Sequence, residues 1–322
     1  DVGQLGSDAM RLQAYDQLAA QGRVQPRVTE TARDTALAGH SFYERYTEPD
    51  PAITAAAEET QKDVQRRVGW AQGADLVLDG LSLASIYFLA AIGLAITFGV
   101  MGVINMAHGE FIMMGAYTGF VVQQFIPDYT VSIIVALPLA FAVTFAAGVA
   151  MERLVIRHLY HRPLETLLAT FGISIALQQL AKNIFGTQAR PLTSPDWLGG
   201  AWVLSDVISI SYIRIAIFVL ALLFLALILY VLTQNPGMAA SMGINPDRIN
   251  MLTFGLGSGI AGIAGVAIGL YAKVTSEMGS DYIVQSFMTV VVGGVGNVWG
   301  TLAGATMIGG LQKAIEWFNP SN

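Results

Sequence analysis

The sequence predicts an all-α polytopic membrane protein: about eight transmembrane or broken helices carrying an internal repeat, behind a polar helical N-terminal extension. Three observations carry this. Hydrophobic residues make up 54% of the chain and charged residues 12%, where soluble domains carry about 25% charged; the mean hydropathy is +0.55. The charges are unevenly placed, half of them falling in the first 76 residues. Beyond that point apolar runs recur at close to the roughly 20 residues a bilayer demands. A net charge of −6 without any basic run removes nucleic acid as a partner. The lack of cysteine excludes disulfides, thiolate metal sites and thiol catalysis. No metal or cofactor is expected on this chain.

The predicted domains are a polar extension, residues 1–74, and a membrane domain, residues 75–322. In the extension, Ser7 to Leu18 has apolar positions at helical spacing. Ala52 to Val68 forms a second run with favourable Glu58/Lys62 and Asp63/Arg67 pairs. Gly22 to Thr47 between them reads as a loop. The extension is either a partner-docking domain outside the cytoplasm or a solvated leader into the membrane. The chain opens on Asp1 rather than Met, as after removal of a signal peptide or trimming.

The expected spans are Leu76–Val103, Asn105–Ile126, Val131–Val155, Leu167–Phe185, Val207–Leu232, Met251–Ala272, and the short pair Ile283–Val298 and Leu302–Ala314. That last pair reads as two spans or one broken hairpin. Pro138 inside the third is the kind of kink that neighbouring membrane helices accommodate. Arg153, Arg157 and Arg162 mark their loop as cytoplasmic. The Gln123 to Tyr129 turn, without Lys or Arg, then faces outside, and so do the N-terminal extension and the 186–206 segment.

Polar side chains interrupt this apolar pattern at Asn105, His108 and Glu110. Such groups are costly in a bilayer and mark a pathway or a structural hinge. On an uninterrupted helix Asn105 and His108 share a face with Gly102 and Gly109, and Glu110 falls nearly opposite. The pattern Gly-Val-x-Asn occurs twice, at Gly102–Asn105 and Gly294–Asn297, as transporters with repeated interrupted helices would show. Gly255, Gly262, Gly265 and Gly269 form one small-residue stripe, and Gly293, Gly296 and Gly300 another, suited to close helix packing in lipid. Asn235-Pro236 and Asn245-Pro246 read as helix starts and Gly243 as a helix stop. They define a short helix in the 233–248 segment that is either a connector or a peg for a cytoplasmic subunit, with Met238, Ala239, Ala240, Met242 and Gly243 at its contact.

Four motifs together resemble a known family. Asn105-Met-Ala-His-Gly-Glu110, Leu168-Ala-Thr-Phe-Gly-Ile173, Leu252 to Gly262 and Gly293 to Gly304 resemble the LivH-type permeases of branched-chain amino acid ABC importers. Within that family Gly93 to Glu110 looks most similar to the urea-importer permease, UrtB type. The resemblance covers Asp75 to about Trp317. It implies a second homologous permease subunit, two cytoplasmic ATPase subunits that bind the ATP, and a periplasmic solute-binding protein, all at a bacterial inner membrane. It also implies that residues 233–248 couple to an ATPase. Two departures stand out. Family members continue beyond Trp317 with a further span and a basic tail, and their lead into the coupling helix is longer; missing segments are the expectation.

The expected function is thus the permease subunit of an ABC importer for urea or short amides. Asn105, His108, Thr170 and Asn297 would offer hydrogen bonds to a neutral solute, with Gly109 and Glu110 beside them. The alternatives are import of branched-chain amino acids, whose zwitterion wants charge partners, and a passive small-solute channel. An enzyme is not expected: His108 and Glu110 diverge around one helix, and no HExxH-type spacing occurs.

Overall fold

A computed structural model describes residues 7–26, 28–40, 42, 50–232, 243 and 245–319. The chain divides into two compact units, Asp1–Gln65 and Arg66–Asn322.

In the first unit, α1 (Asp8–Ala20) starts at Ser7, whose hydroxyl accepts from the Met10 N–H. A second helix, α2 (Glu30–Ala38), follows where a loop was expected. Thr29 in extended conformation and Glu30 in the first turn are an ordinary helix start, but nine residues leave too little apolar periodicity to read. Leu37 of α2 packs with Ala14, Tyr15 and Leu18 of α1 in a small core. The Tyr15 hydroxyl donates to the Gln25 carbonyl, and Arg33 pairs with Asp8 and Asp34.

The polar run from Ala52 and the first apolar span, expected as separate elements, form one continuous helix, α3 (Pro51–Met101). The second unit continues with α4 (His108–Phe125), α5 (Tyr129–Leu154), α6 (Pro163–Phe185), α7 (Tyr212–Leu232), α8 (Pro246–Tyr271), α9 (Met278–Gly293) and α10 (Val298–Phe318). The short glycine-rich pair is therefore two helices. They reverse through Gly294 and Gly296, both at positive φ (91° and 78°), a region that glycine enters without Cβ strain. Residues 207–211 are not helical as expected; Ala201–Val203 (β1) and Ser209–Ser211 (β2) form a small antiparallel hairpin. Its alternation spans only three residues per strand, too short to outweigh the adjoining apolar run.

Among the described residues, four helical stretches are long and apolar enough to cross a membrane: α3, α5 with its extension to His158, α6 and α8. Asn245 caps α8 by accepting from the Asp247 N–H, with Pro246 in the first turn, as the sequence indicated. α8 is the central element, with α4 and α5 packed along it. The contacts run through glycines: a Cβ on Gly265 would overlap the Ile112 carbonyl of α4, and one on Gly262 would lie 2.8 Å from the Ala140 carbonyl of α5. The stripe thus serves two neighbours, Gly255 meeting α5, Gly265 meeting α4 and Gly262 meeting both. Burial of apolar surface drives little in lipid, so backbone approach of this kind is the main source of cohesion.

The loop after α5 is tied down by Glu152, which is fully buried. It accepts a hydrogen bond from the Tyr160 hydroxyl and pairs with Arg157 at 3.5 Å. Burial, then this carboxylate, push the Tyr160 phenol above its ordinary value.

Candidate functional site

α3 stops at Met101 because Gly102 turns away at φ +67°, its N–H closing on the Phe98 carbonyl at 2.9 Å. Residues 102–107 are not helical, and α4 begins at His108. The break does not sit at the end of the bundle. His108 donates from Nε2 to the Ala90 carbonyl at 2.7 Å, and Ala90 lies 11 residues before the end of α3, about 16 Å along the helix. The chain therefore climbs back beside α3 before α4 starts. Irregular backbone at membrane depth is tolerated only when buried in protein, and Val103, Asn105 and Ala107 are buried.

Several polar groups of the break bond to the protein itself. Asn105 Oδ1 accepts from the Ala107 N–H at 2.9 Å, and Thr170 Oγ1 of α6 accepts from the Met106 N–H at 3.1 Å. Thr170 in turn donates to the Thr166 carbonyl at 2.9 Å. Gly109 lies against Gly279 in the first turn of α9, with no room for a Cβ on either. Glu110, 1% exposed, accepts at Oε1 from Ser174 (2.8 Å) and from Gln178 Nε2 (2.9 Å), both on α6. Gln178 Nε2 also reaches Ser280 of α9 at 2.6 Å. Glu110 Oε2 is buried with no hydrogen-bond partner. Its place in the first turn of α4 sets the carboxylate against the positive end of that helix. One turn along α6 from Gln178, Lys182 pairs with Glu277 at 2.9 Å in the link before α9. That hydrogen bond and the ammonium charge hold the exposed Glu277 carboxyl below its ordinary value.

Asn105, His108, Gly109, Glu110 and Thr170 thus come together, but not as expected. Asn105 is not on the α4 helix, and the face it was to share with His108 does not form, because the chain is unwound there. Asn105, His108 and Thr170 each bond the protein's own backbone. Asn297 stands apart and exposed, capping α10 by accepting from the Gly300 N–H at 3.1 Å. Its neighbour Gly296 nevertheless touches Gly99, just before the first break, so the two Gly-Val-x-Asn segments lie side by side. The expected packing pair Gly293 and Gly300 is in backbone contact across the α9–α10 hairpin. Met238, Ala239, Ala240 and Met242 lie outside the described residues; Gly243 is an exposed turn at φ +83°, the conformation of a glycine ending a helix.

Ser174, Gln178 and Ser280 were missed. The available signal was Ser174, Gln178 and Lys182 at i, i+4, i+8 within an apolar span, facing a Glu110 that needed donors. Two cavities flank this region. An apolar one of about 350 Å3 opens between α4, α5 and α6, lined by Met113, Tyr117, Leu139, Leu177 and Phe185. A polar one of about 360 Å3 lies where the Leu83–Tyr87 stretch within α3 and the ends of α8 and α10 meet the start of α9. Among the described residues no group of three His, Asp or Glu side chains is placed to hold a metal.

Fold and site together define a polytopic α-helical membrane protein built around a buried helix break. Residues 76–322 match the family described as branched-chain amino acid transport system / permease component, and the chain belongs to that family. It is 29% identical to the high-affinity branched-chain amino acid transport system permease protein LivH of Escherichia coli K12, over 72% of this chain and 82% of the relative. The corresponding BraD protein of Pseudomonas aeruginosa is 29% identical over 72% and 83%. A probable LivH of Methanocaldococcus jannaschii is 24% identical over 76% and 82%. No solved structure matches.

Proposed function

We propose that the chain is the membrane-spanning permease subunit of an ATP-driven importer of branched-chain amino acids in a bacterial inner membrane. The observation that carries this is the family match across the whole of residues 76–322. The names of the relatives favour branched-chain amino acids over the urea expected from the Gly93 to Glu110 motif. An apolar cavity of about 350 Å3 beside α4 has the size and lining to take a branched aliphatic side chain. The backbone bonds made by Asn105, His108 and Thr170 count against the hydrogen-bonding set that argued for a small amide.

In this reading a second permease subunit completes the path. A periplasmic binding protein delivers the solute at the end carrying the N-terminal extension, and two ATPase subunits dock on the opposite face through residues 233–248. Glu110 works as the tie between α4, α6 and α9, the helices that must shift if the buried break opens. The test is ATP hydrolysis by the reconstituted importer with its own binding protein. Leucine, isoleucine or valine is expected to stimulate turnover and urea to leave it at the basal rate. Stimulation by urea alone would restore the urea reading.

A further inference from the structure

The polar cavity of about 360 Å3 is built differently from the rest of the membrane unit. It holds four charged side chains, Lys273, Asp281, Lys313 and Glu316. Lys313 and Glu316 are already paired at 2.8 Å. Gln312 is fixed between them and α3, accepting from the Tyr87 hydroxyl and donating to Glu316 at 3.2 Å. Lys273 and Asp281 make no ion pair among the described residues, with each other or with any other side chain, although both line the same cavity. Gln285 lies four residues after Asp281 on the same face of α9 and also lines the cavity, and its amide oxygen is buried without a partner.

One free cation, one free carboxylate and one unsatisfied acceptor are thus gathered around a space of ligand size. A lone anion would leave Asp281 opposed to it, and a lone cation would leave Lys273 so. A neutral amide could bond both groups but would bring no countercharge to either. A zwitterion uses all three groups: a carboxylate takes the ammonium donors of Lys273, and an ammonium takes the Asp281 carboxylate and the Gln285 carbonyl. We propose that this cavity is a recognition site for the α-ammonium and α-carboxylate of an amino acid, with Lys273 binding the carboxylate and Asp281 with Gln285 binding the ammonium. This rests on the amino-acid reading of the function. It places head-group recognition at the bundle end predicted to face outside, where solute arrives, rather than at the buried break.

The experiment is L-leucine uptake by proteoliposomes holding the whole importer, at saturating binding protein, with Lys273→Met, Lys273→Arg and Asp281→Asn. Both side chains are exposed, so none of these changes opens the core. Expected are a drop in uptake of about tenfold for K273M and for D281N, the size of one lost charge-assisted contact. K273R is expected to restore most of the rate, and basal ATP hydrolysis to stay unchanged in all three. Uptake equal to the unsubstituted importer in K273M and D281N overturns the site. So does a loss that disappears when binding protein is raised further, which would assign the two charges to docking of that protein. If the unsubstituted importer takes up urea and not leucine, the substrate reading fails, a result separate from either.

Discussion

The two Gly-Val-x-Asn breaks have the same local chemistry and opposite surroundings. In each, a glycine at positive φ ends a helix and an asparagine oxygen takes a backbone N–H at the start of the next one. The first is buried between α3, α6 and α9, and Asn105, Met106 and His108 bond to the protein there. The second is exposed, and the asparagine bond it makes is local to its own cap. The backbone turn is therefore written in a short motif, whereas the cost of that turn is set by what packs against it. A buried unpaired N–H costs about 1–3 kcal/mol, while an exposed one is met by water.

Steric room should give the largest contrast. In Gly109→Ala the new methyl overlaps the Gly279 backbone, which has no rotamer to yield. The expected loss is about 3 kcal/mol, the upper end of overpacking costs, read as a lowered melting temperature of the purified protein in detergent. Gly294→Ala meets no atom within 4 Å and bears only its backbone conformation, a cost within the roughly 1–3 kcal/mol of a sparsely populated region. Equal losses would show that the two breaks are held alike.

Glu110→Ala comes next. It leaves the buried Ser174 hydroxyl without its acceptor and Gln178 with Ser280 alone, an expected loss of roughly 1–3 kcal/mol. Glu110→Gln keeps an oxygen for both donors and should lose clearly less. If the two variants melt together, charge rather than hydrogen bonding is what Glu110 supplies.

The asparagines themselves give a smaller contrast. Asn297→Ala removes an exposed cap, about 1 kcal/mol. Asn105→Ala strands the buried Ala107 N–H and should cost more, up to about 3 kcal/mol. The comparison fails if Asn297 proves the more costly of the pair.

The sequence discloses the spans because a bilayer sets a minimum apolar length, so Leu167–Phe185 falls within α6 and Met251–Ala272 overruns the end of α8 by one residue. It discloses the first break nearly as well, since Gly102 and Asn105 are local signals. It does not disclose the depth of that break: His108 reaching Ala90 depends on the chain climbing back beside α3, a tertiary event with no periodic trace. The partners of Glu110 were hidden for the same reason. Ser174 and Ser280 are ordinary residues until packing brings α6 and α9 against α4. The mixed-charge cavity was equally hidden, because Lys273 and Asp281 are unremarkable apart.

The smallest effect separates two ties between the same helices. Gln178 and Ser280 join α6 to the start of α9 beside the buried Glu110, and Lys182 and Glu277 join them one turn further along. Only the outer tie should follow pH. The Glu277 carboxyl lies below its ordinary value of 4.5 because Lys182 favours the ionised form. A depressed carboxyl contributes stability that is complete above the unfolded value and is lost as pH falls through the folded one. The melting temperature should therefore hold steady from neutral pH down to about pH 5 and then fall more steeply than that of Glu277→Gln, which lacks the titrating group. Exposed pairs contribute little, so the two curves should differ by less than the Asn105 and Asn297 variants do. Parallel curves would leave the Gln178–Ser280 contact as the tie that joins α6 to α9.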